Sequence, residues 1–135
     1  MLTIPTFIDR SIISGIGVFS STNIRKDTVI WIYNACVDLT YTQENWELLK
    51  NQVNPFSFNR IENYSYKENG SYILCTDNAQ FMNHDEVNFN VCNSSDLLIM
   101  FASRDIYEGE ELLCNYHEYS DQDDHHVLYL KELKA

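Results

Sequence analysis

Proline occurs twice and glycine four times in a chain of 135 residues. That scarcity excludes collagen-like, low-complexity and Pro/Gly-rich disordered chains. No apolar run approaches the roughly 20 residues that cross a bilayer, so no membrane partner is expected. Met1 to Arg10 carries Asp9 and Arg10 and lacks a basic region followed by a long apolar stretch, which is not a signal peptide. The expectation is a soluble intracellular protein whose compartment, cytoplasm or nucleus, is unknown.

Positive charge is also scarce. Nine Lys and Arg stand against 20 Asp and Glu, for a net charge of -11. From Asp105 to Asp124 there are eight acids (Asp105, Glu108, Glu110, Glu111, Glu118, Asp121, Asp123, Asp124) and no Lys or Arg. Such a field repels phosphate backbones, which excludes direct nucleic-acid binding through this face, and it attracts basic peptides. Charge alone favours the plainer reading, a solvated face that aids solubility. The four cysteines (Cys36, Cys75, Cys92, Cys114) include no C-x-x-C pair, and no compact Cys/His cluster exists. His125 and His126 are adjacent, a poor geometry for a closed site. No structural metal is expected. Cys36, Cys92 and Cys114 fall in runs that read as strands, which points to reduced core thiols.

What is present suffices for a core: 44% hydrophobic and 13% aromatic residues, in a length that fits one domain over 1–135. Segments rich in Ile, Val, Tyr, Phe and Thr read as strands: Gly17–Phe19, Val29–Tyr33, Ser71–Leu74, Leu97–Phe101 and Glu111–Cys114. One or two short helices are expected. Thr42 to Lys50 opens on a capping Thr, with Trp46, Leu48 and Leu49 near one face. Asp123 to Lys134 has Val127, Leu130 and Leu133 or Leu128 at helical spacing, Asp at its start and Lys near its end. Asn51 to Asn69 is Asn-rich and poorly patterned, and reads as a long irregular connection.

An internal echo links two distant stretches. Phe19 to Ile30 aligns without gaps to Phe101 to Leu112. Both read as a strand end, a bend at Asn/Asp-Ile, a turn at Asp27 or Gly109, then a second strand. Glycine takes left-handed angles freely and Asp tolerates them, so one turn type serves both. Two similar β units in one domain are expected.

Four motifs, in order, resemble the SET-domain lysine methyltransferases. They are Gly15-Ile16-Gly17-Val18-Phe19 with the turn Asn23–Ile30; Tyr33-Asn34; Phe81-Met82-Asn83-His84; and Ala102–Leu112 running to Asn115-Tyr116. The last is similar to the family's R-x-I-x-x-G-E-E-L-x-x-D-Y, and the resemblance covers roughly residues 8 to 120. It implies a mainly β, β-clip-like fold of small sheets, in which the C-terminal segment threads a preceding loop as a pseudoknot. It also implies transfer of a methyl group from S-adenosylmethionine to a lysine of a basic protein or peptide segment, histone-like tails included. Cofactor and peptide would bind on opposite faces and meet through a narrow channel.

The same resemblance implies roles. Gly15 and Gly17, with the peptide groups around Ile16, would approach the cofactor; Asn83 and His84 would line its pocket. Tyr116 would hold the attacking amine in line, an orientation worth roughly 7–11 kcal/mol. Tyr33 would be a second catalytic candidate, as an aromatic wall or a hydroxyl for the lysine channel, with Phe101, Tyr107 and Tyr119 as further aromatics, although core packing suits Phe101 better. Taken singly, each residue has a plainer reading: a hairpin for the glycines, a polar turn for Asn83-His84, a core tyrosine for Tyr116. Departures are also plain. Asp85 to Asn90 replaces Ser-Cys-x-Pro-Asn, with Asn88 one position early and Asn90 one late; Asn115 stands for the usual acid, Gln80 for Arg and Asp27 for Gly. No cysteine-rich segment follows Tyr119, so the tail 121–135 is left to close the pocket or to pair two chains as a homodimer. The alternative reading is a catalytically inactive SET-type module that binds a peptide or partner. A small acidic mimic of nucleic acid accounts for the charge and for none of the motifs.

Overall fold

Short β-prone runs broken by turns form ten strands, joined by three α-helices and two 3-10 turns, in a computed structural model that describes residues 1–135. Strands β1 (Thr6–Arg10) and β2 (Ile16–Ser20) make an antiparallel hairpin. Strands β4 (Asp38–Tyr41), β5 (Ser65–Glu68) and β6 (Ser71–Cys75) make a sheet in the order β4-β6-β5. The third sheet takes β3 (Val29–Ile32), β7 (Asn83–His84), β8 (Val91–Asn93), β9 (Ile99–Ala102) and β10 (Leu113–Cys114) in the order β3-β9-β8-β10-β7. Between the sheets lies a core that includes Val18, Ile24, Ile30, Ile106 and Leu112, all at most 3% exposed. No helix is long and apolar enough to cross a membrane.

The two echoing stretches pair with each other about a local two-fold. Ile24 and Ile106 exchange N–H···O bonds of 2.7 and 2.8 Å at its centre. The flanking bonds come in twins. Ser20 N donates to Glu110 O and Ala102 N to Thr28 O, both at 2.9 Å; Gly109 N donates to Ser20 O and Asp27 N to Ala102 O, both at 2.8 Å. The twinning extends to side chains, since Asp105 Oδ1 accepts from Lys26 N and Asn23 Oδ1 from Glu108 N. Asp27 (φ 68°) and Gly109 (φ 88°) occupy the same left-handed turn, which explains how Asp stands in for Gly. Burying two isoleucines at the centre makes this joint part of the core.

β10 lies between β7 and β8, parallel to both, beneath the connection 85–90 that joins them. This is the threaded C-terminal segment. Asn90, 2% exposed, holds it: Nδ2 donates to Glu111 O and Oδ1 accepts from Leu113 N, both at 2.8 Å. Asn88, by contrast, is exposed, and its N–H and Nδ2 both donate to the Asp85 carboxylate.

Three readings are corrected. There are three α-helices rather than one or two: α1 (Gln43–Gln52), α2 (Pro55–Asn63) and α3 (His125–Lys134). The segment expected to be irregular contains α2 and β5. Its start carries a helix signal that the Asn-rich composition obscured: Asn54 accepts from Ser57 N at 2.8 Å and Pro55 sits at the first turn, where its missing N–H costs nothing. Phe58 then packs 5.3 Å from Trp46, which stacks on Tyr72 at 4.3 Å. Cys36 lies in an exposed turn, outside any strand, whereas Cys75 and Cys114 are the buried thiols.

The acidic run is largely consumed in holding the fold. Asp121 accepts from Asn69 N and Gly70 N, clamping the β5–β6 turn. Asp124, 1% exposed, accepts from Lys67 N and caps α3 through His126 N. Asp124→Ala removes both attachments and should cost about 2–3 kcal/mol in urea unfolding; a loss below 0.5 kcal/mol would contradict this account. Burial, and then Asp121, push the Glu68 carboxyl up to about 7. In the unfolded chain Glu68 releases its proton near 4.5, so its contribution to stability is intact below that pH and declines as pH rises to about 7. Glu68→Gln should therefore stabilise the protein at pH 8, on the order of 1 kcal/mol once solvent screening is allowed for, and leave unfolding at pH 4 unchanged.

Candidate active site

Two cavities meet where the threaded segment passes the Asn83-His84 strand. The larger, about 480 Å³, is lined by Gly15, Ile16, Asn83 and His84 on one side of the sequence and by Tyr129, Leu130 and Leu133 of α3 on the other. Its size lies in the range that encloses drug-sized ligands. The smaller, about 60 Å³, is a narrow aromatic slot with Trp31, Tyr66 and Tyr119 in its wall. Six residues line both: Asn63, Tyr64, Gln80, Met82, Tyr116 and His126.

Tyr116 stands two residues beyond the end of β10, so the parallel pairing of β10 with β7 sets it beside Met82 and His84. Its hydroxyl donates to Met82 O at 3.0 Å, and its backbone N–H donates to His84 Nδ1 at 3.0 Å. Burial pushes the Tyr116 phenol far above its ordinary value, so it stays protonated. With the proton directed at Met82 O, the oxygen's lone pairs are free for a donor in the slot. Burial, followed by His117, lowers the His84 imidazole, and Nδ1 as acceptor places its single proton on Nε2. Cys114 is pushed up to about 12 by burial and remains an inert thiol.

The sequence candidates separate on this geometry. Gly15, Ile16, Asn83, His84 and Tyr116 all line the large cavity. Gly17 does not. The Glu111 carboxylate occupies the space that a side chain at Gly17 would take. Tyr33 lines neither cavity; its hydroxyl bonds Thr40 Oγ1 at 2.9 Å and its ring edges onto Trp31, one side chain from the slot. Tyr119 is in the slot wall, while Phe101 and Tyr107 are not, Tyr107 being 62% exposed. Sequence reasoning missed Tyr64 and Tyr66, whose position around the start of β5 was hidden by the supposed irregular connection. It also missed His126, which reaches both cavities only because Asp124 fixes α3 there.

His84, Glu86 and His117 bring donor atoms within 4.8 Å of one another. The set does not suit a metal ion. Lys134 Nζ occupies both Glu86 oxygens at 2.7 and 2.8 Å, and His84 Nε2 carries the proton that a metal would have to displace. The contact instead ties the end of α3 to the loop over β10.

The large cavity has an apolar and a polar side. Ile13, Ile16, Leu130 and Leu133 offer apolar walls, and Asn83 Oδ1 has no protein partner. The SET domain family model matches residues 15–117. No curated protein matches the chain. Among solved structures, a Plasmodium falciparum protein provisionally named a histone methyltransferase superposes with a TM-score of 0.55 at 20% identity, covering 85% of this chain and 95% of that one. CpSET8 from Cryptosporidium gives 0.56 at 24% identity, covering 85% of this chain and 58% of that one. A humanized mutant of the Chaetomium thermophilum Polycomb Repressive Complex 2, bound to an inhibitor, gives 0.61 at 16% identity, covering 87% of this chain and 16% of that one. At these identities the likeness is one of fold.

The two glycines should respond to alanine for different reasons. Gly15 has φ 50° and open space around it, so Gly15→Ala should cost about 1 kcal/mol in backbone strain. Gly17→Ala must push the end of the Glu111 side chain away from Asn83 and should cost about 1.5–2 kcal/mol, mostly the lost bond between them. Thermal unfolding of the two variants checks this ranking, and the reverse order would refute it.

Proposed function

The chain belongs to the SET-domain family, and we propose that it is an S-adenosylmethionine-dependent protein-lysine N-methyltransferase acting on a basic peptide segment. The observation that carries this reading is the junction of the two cavities at Met82 and Tyr116. A donor in the large cavity and a lysine in the slot would face each other there. S-adenosylmethionine, when bound, supplies an electrophilic methyl group on a sulfonium.

The slot prepares the amine. A neutral amine is the nucleophile, so the lysine must arrive without its proton. Aromatic walls attract the cation at the entrance by about 0.5–2 kcal/mol. Inside, burial without a carboxylate lowers an ammonium's pKa, because the charged form is the one desolvation penalises. The lining of the slot includes no Asp or Glu to oppose that. The Tyr116 oxygen then accepts a hydrogen bond from the amine, while Met82 O, fixed by the Tyr116 hydroxyl, presents a carbonyl next to the line of transfer. Tyr33 supports this wall through Trp31.

Charge suits a basic partner. Asp121, Asp124 and Glu118 make bonds to neutral backbone amides, which leaves the net charge of -11 in place. Glu118 accepts from Asn93 N, and Asn93 lines the slot, so one acid lies beside the channel for the incoming lysine. The field would steer a basic segment in a salt-dependent manner.

Radiolabelled methyl transfer onto a panel of lysine-rich peptides and proteins tests the activity. Tyr116→Phe should reduce turnover about 10- to 100-fold or change the number of methyl groups added. Its stability should fall by only about 1 kcal/mol, from the lost bond to Met82 O. Unchanged turnover and product pattern would remove Tyr116 from catalysis.

A further inference from the structure

Asn83 has an amide whose two ends look alike in size and differ in chemistry. Its Nδ2, with two hydrogens to give, lies within bonding distance of three acceptors: Ser14 O at 3.0 Å, Ile16 O at 3.2 Å and Glu111 Oε1 at 3.0 Å. All three partners are oxygens that can only accept. Reversing the amide would set Oδ1 against all of them, with no donor between. The end that remains for the cavity is therefore Oδ1, an acceptor. Of the three partners, Glu111 carries a full charge, and a charged acceptor makes a bond roughly twice as strong as a neutral one. The same carboxylate lies against Gly17, where only a missing side chain leaves it room. Gly17, Glu111 and Asn83 thus form one contiguous unit, drawn from three of the sequence motifs.

We propose that Glu111 is a positioning residue, which locks the Asn83 amide so that its carbonyl oxygen faces the large cavity and selects a ligand bearing an ammonium group. This rests on the reading of that cavity as the site of the methyl donor, whose amino-acid part carries such a group. Glu111 itself touches neither donor nor lysine.

The test compares two ligands that share a thioadenosine and differ in the amino-acid chain: S-adenosylhomocysteine, which has the ammonium, and 5′-methylthioadenosine, which lacks it. Calorimetric titration is run on the wild type, Glu111→Gln, Asn83→Asp and the double variant, with thermal unfolding alongside. Glu111→Gln should weaken S-adenosylhomocysteine by about 3- to 10-fold and leave 5′-methylthioadenosine within about twofold. Asn83→Asp places a carboxylate against the same three oxygens and should lose more than about tenfold for S-adenosylhomocysteine. Adding Glu111→Gln to it supplies a donor across the contact and should recover about fivefold.

A purely structural role would lower both ligands together, and that result would overturn the proposal. So would a double variant no better than Asn83→Asp. Should Asn83→Asp fail to fold, the ratio of the two ligands in Glu111→Gln decides alone. A wild type that binds neither ligand sinks the cavity's assignment and the proposal with it, whereas a wild type that binds both, with an unchanged ratio in Glu111→Gln, sinks the proposal only.

Discussion

The insertion of β10 between β7 and β8 is the constraint on which the rest of the site depends. Cys114 pairs with His84 on one side and Val91 on the other, so a two-residue strand is held from both edges. Two residues of ladder are weak by themselves. Asn90 makes up the difference by acting as a piece of backbone: its side chain donates to Glu111 O and accepts from Leu113 N, while its own N–H donates to Leu113 O at 3.0 Å. A buried amide satisfied at both ends is costly to break, because either partner left alone would be an orphan. This clamp places Tyr116 against Met82 and His84, and Glu111 against Asn83.

The local two-fold between the units 19–30 and 101–112 carries the clamp to the rest of the molecule. Their mutual bonds fix the segment just before β10 to the middle of β2, since Leu112 N donates to Val18 O at 2.8 Å. The Gly15–Gly17 turn, the Asn83 strand and the acidic motif are therefore set in one frame. Few contacts here are local in sequence: Ile24 meets Ile106, and Asp105 meets Lys26. Such long loops are slow to close and pin several elements at once.

Carboxylates do structural work throughout, mostly against neutral amides rather than cations. Asp121 and Asp124 bind the β5–β6 hairpin to the start of α3, and Lys134 at its far end binds Glu86 in the loop over β10. α3 is thereby fastened at both ends and serves as a wall of the large cavity. Bonds of this type hold a shape while preserving negative charge, which reconciles a stabilising role with attraction for a basic partner.

The sequence by itself determined the class of fold, the echo between the two β units and the order of the motifs, because turn chemistry and short-range patterning are written in neighbouring residues. Through the family resemblance it also singled out Gly15, Ile16, Asn83, His84 and Tyr116, all five of which the fold brings into the lining of one cavity. It misread α2, since Asn54-Pro55 signals a helix start only if the following aromatic residues find Trp46 to pack on. The tertiary structure alone decided that the Glu111 carboxylate fills the space beside Gly17, that Tyr33 stands behind Trp31, and that Tyr64, Tyr66 and His126 line the slot. Those facts depend on which distant side chains come within contact, and nothing in the spacing along a chain encodes a contact made by threading one segment beneath another.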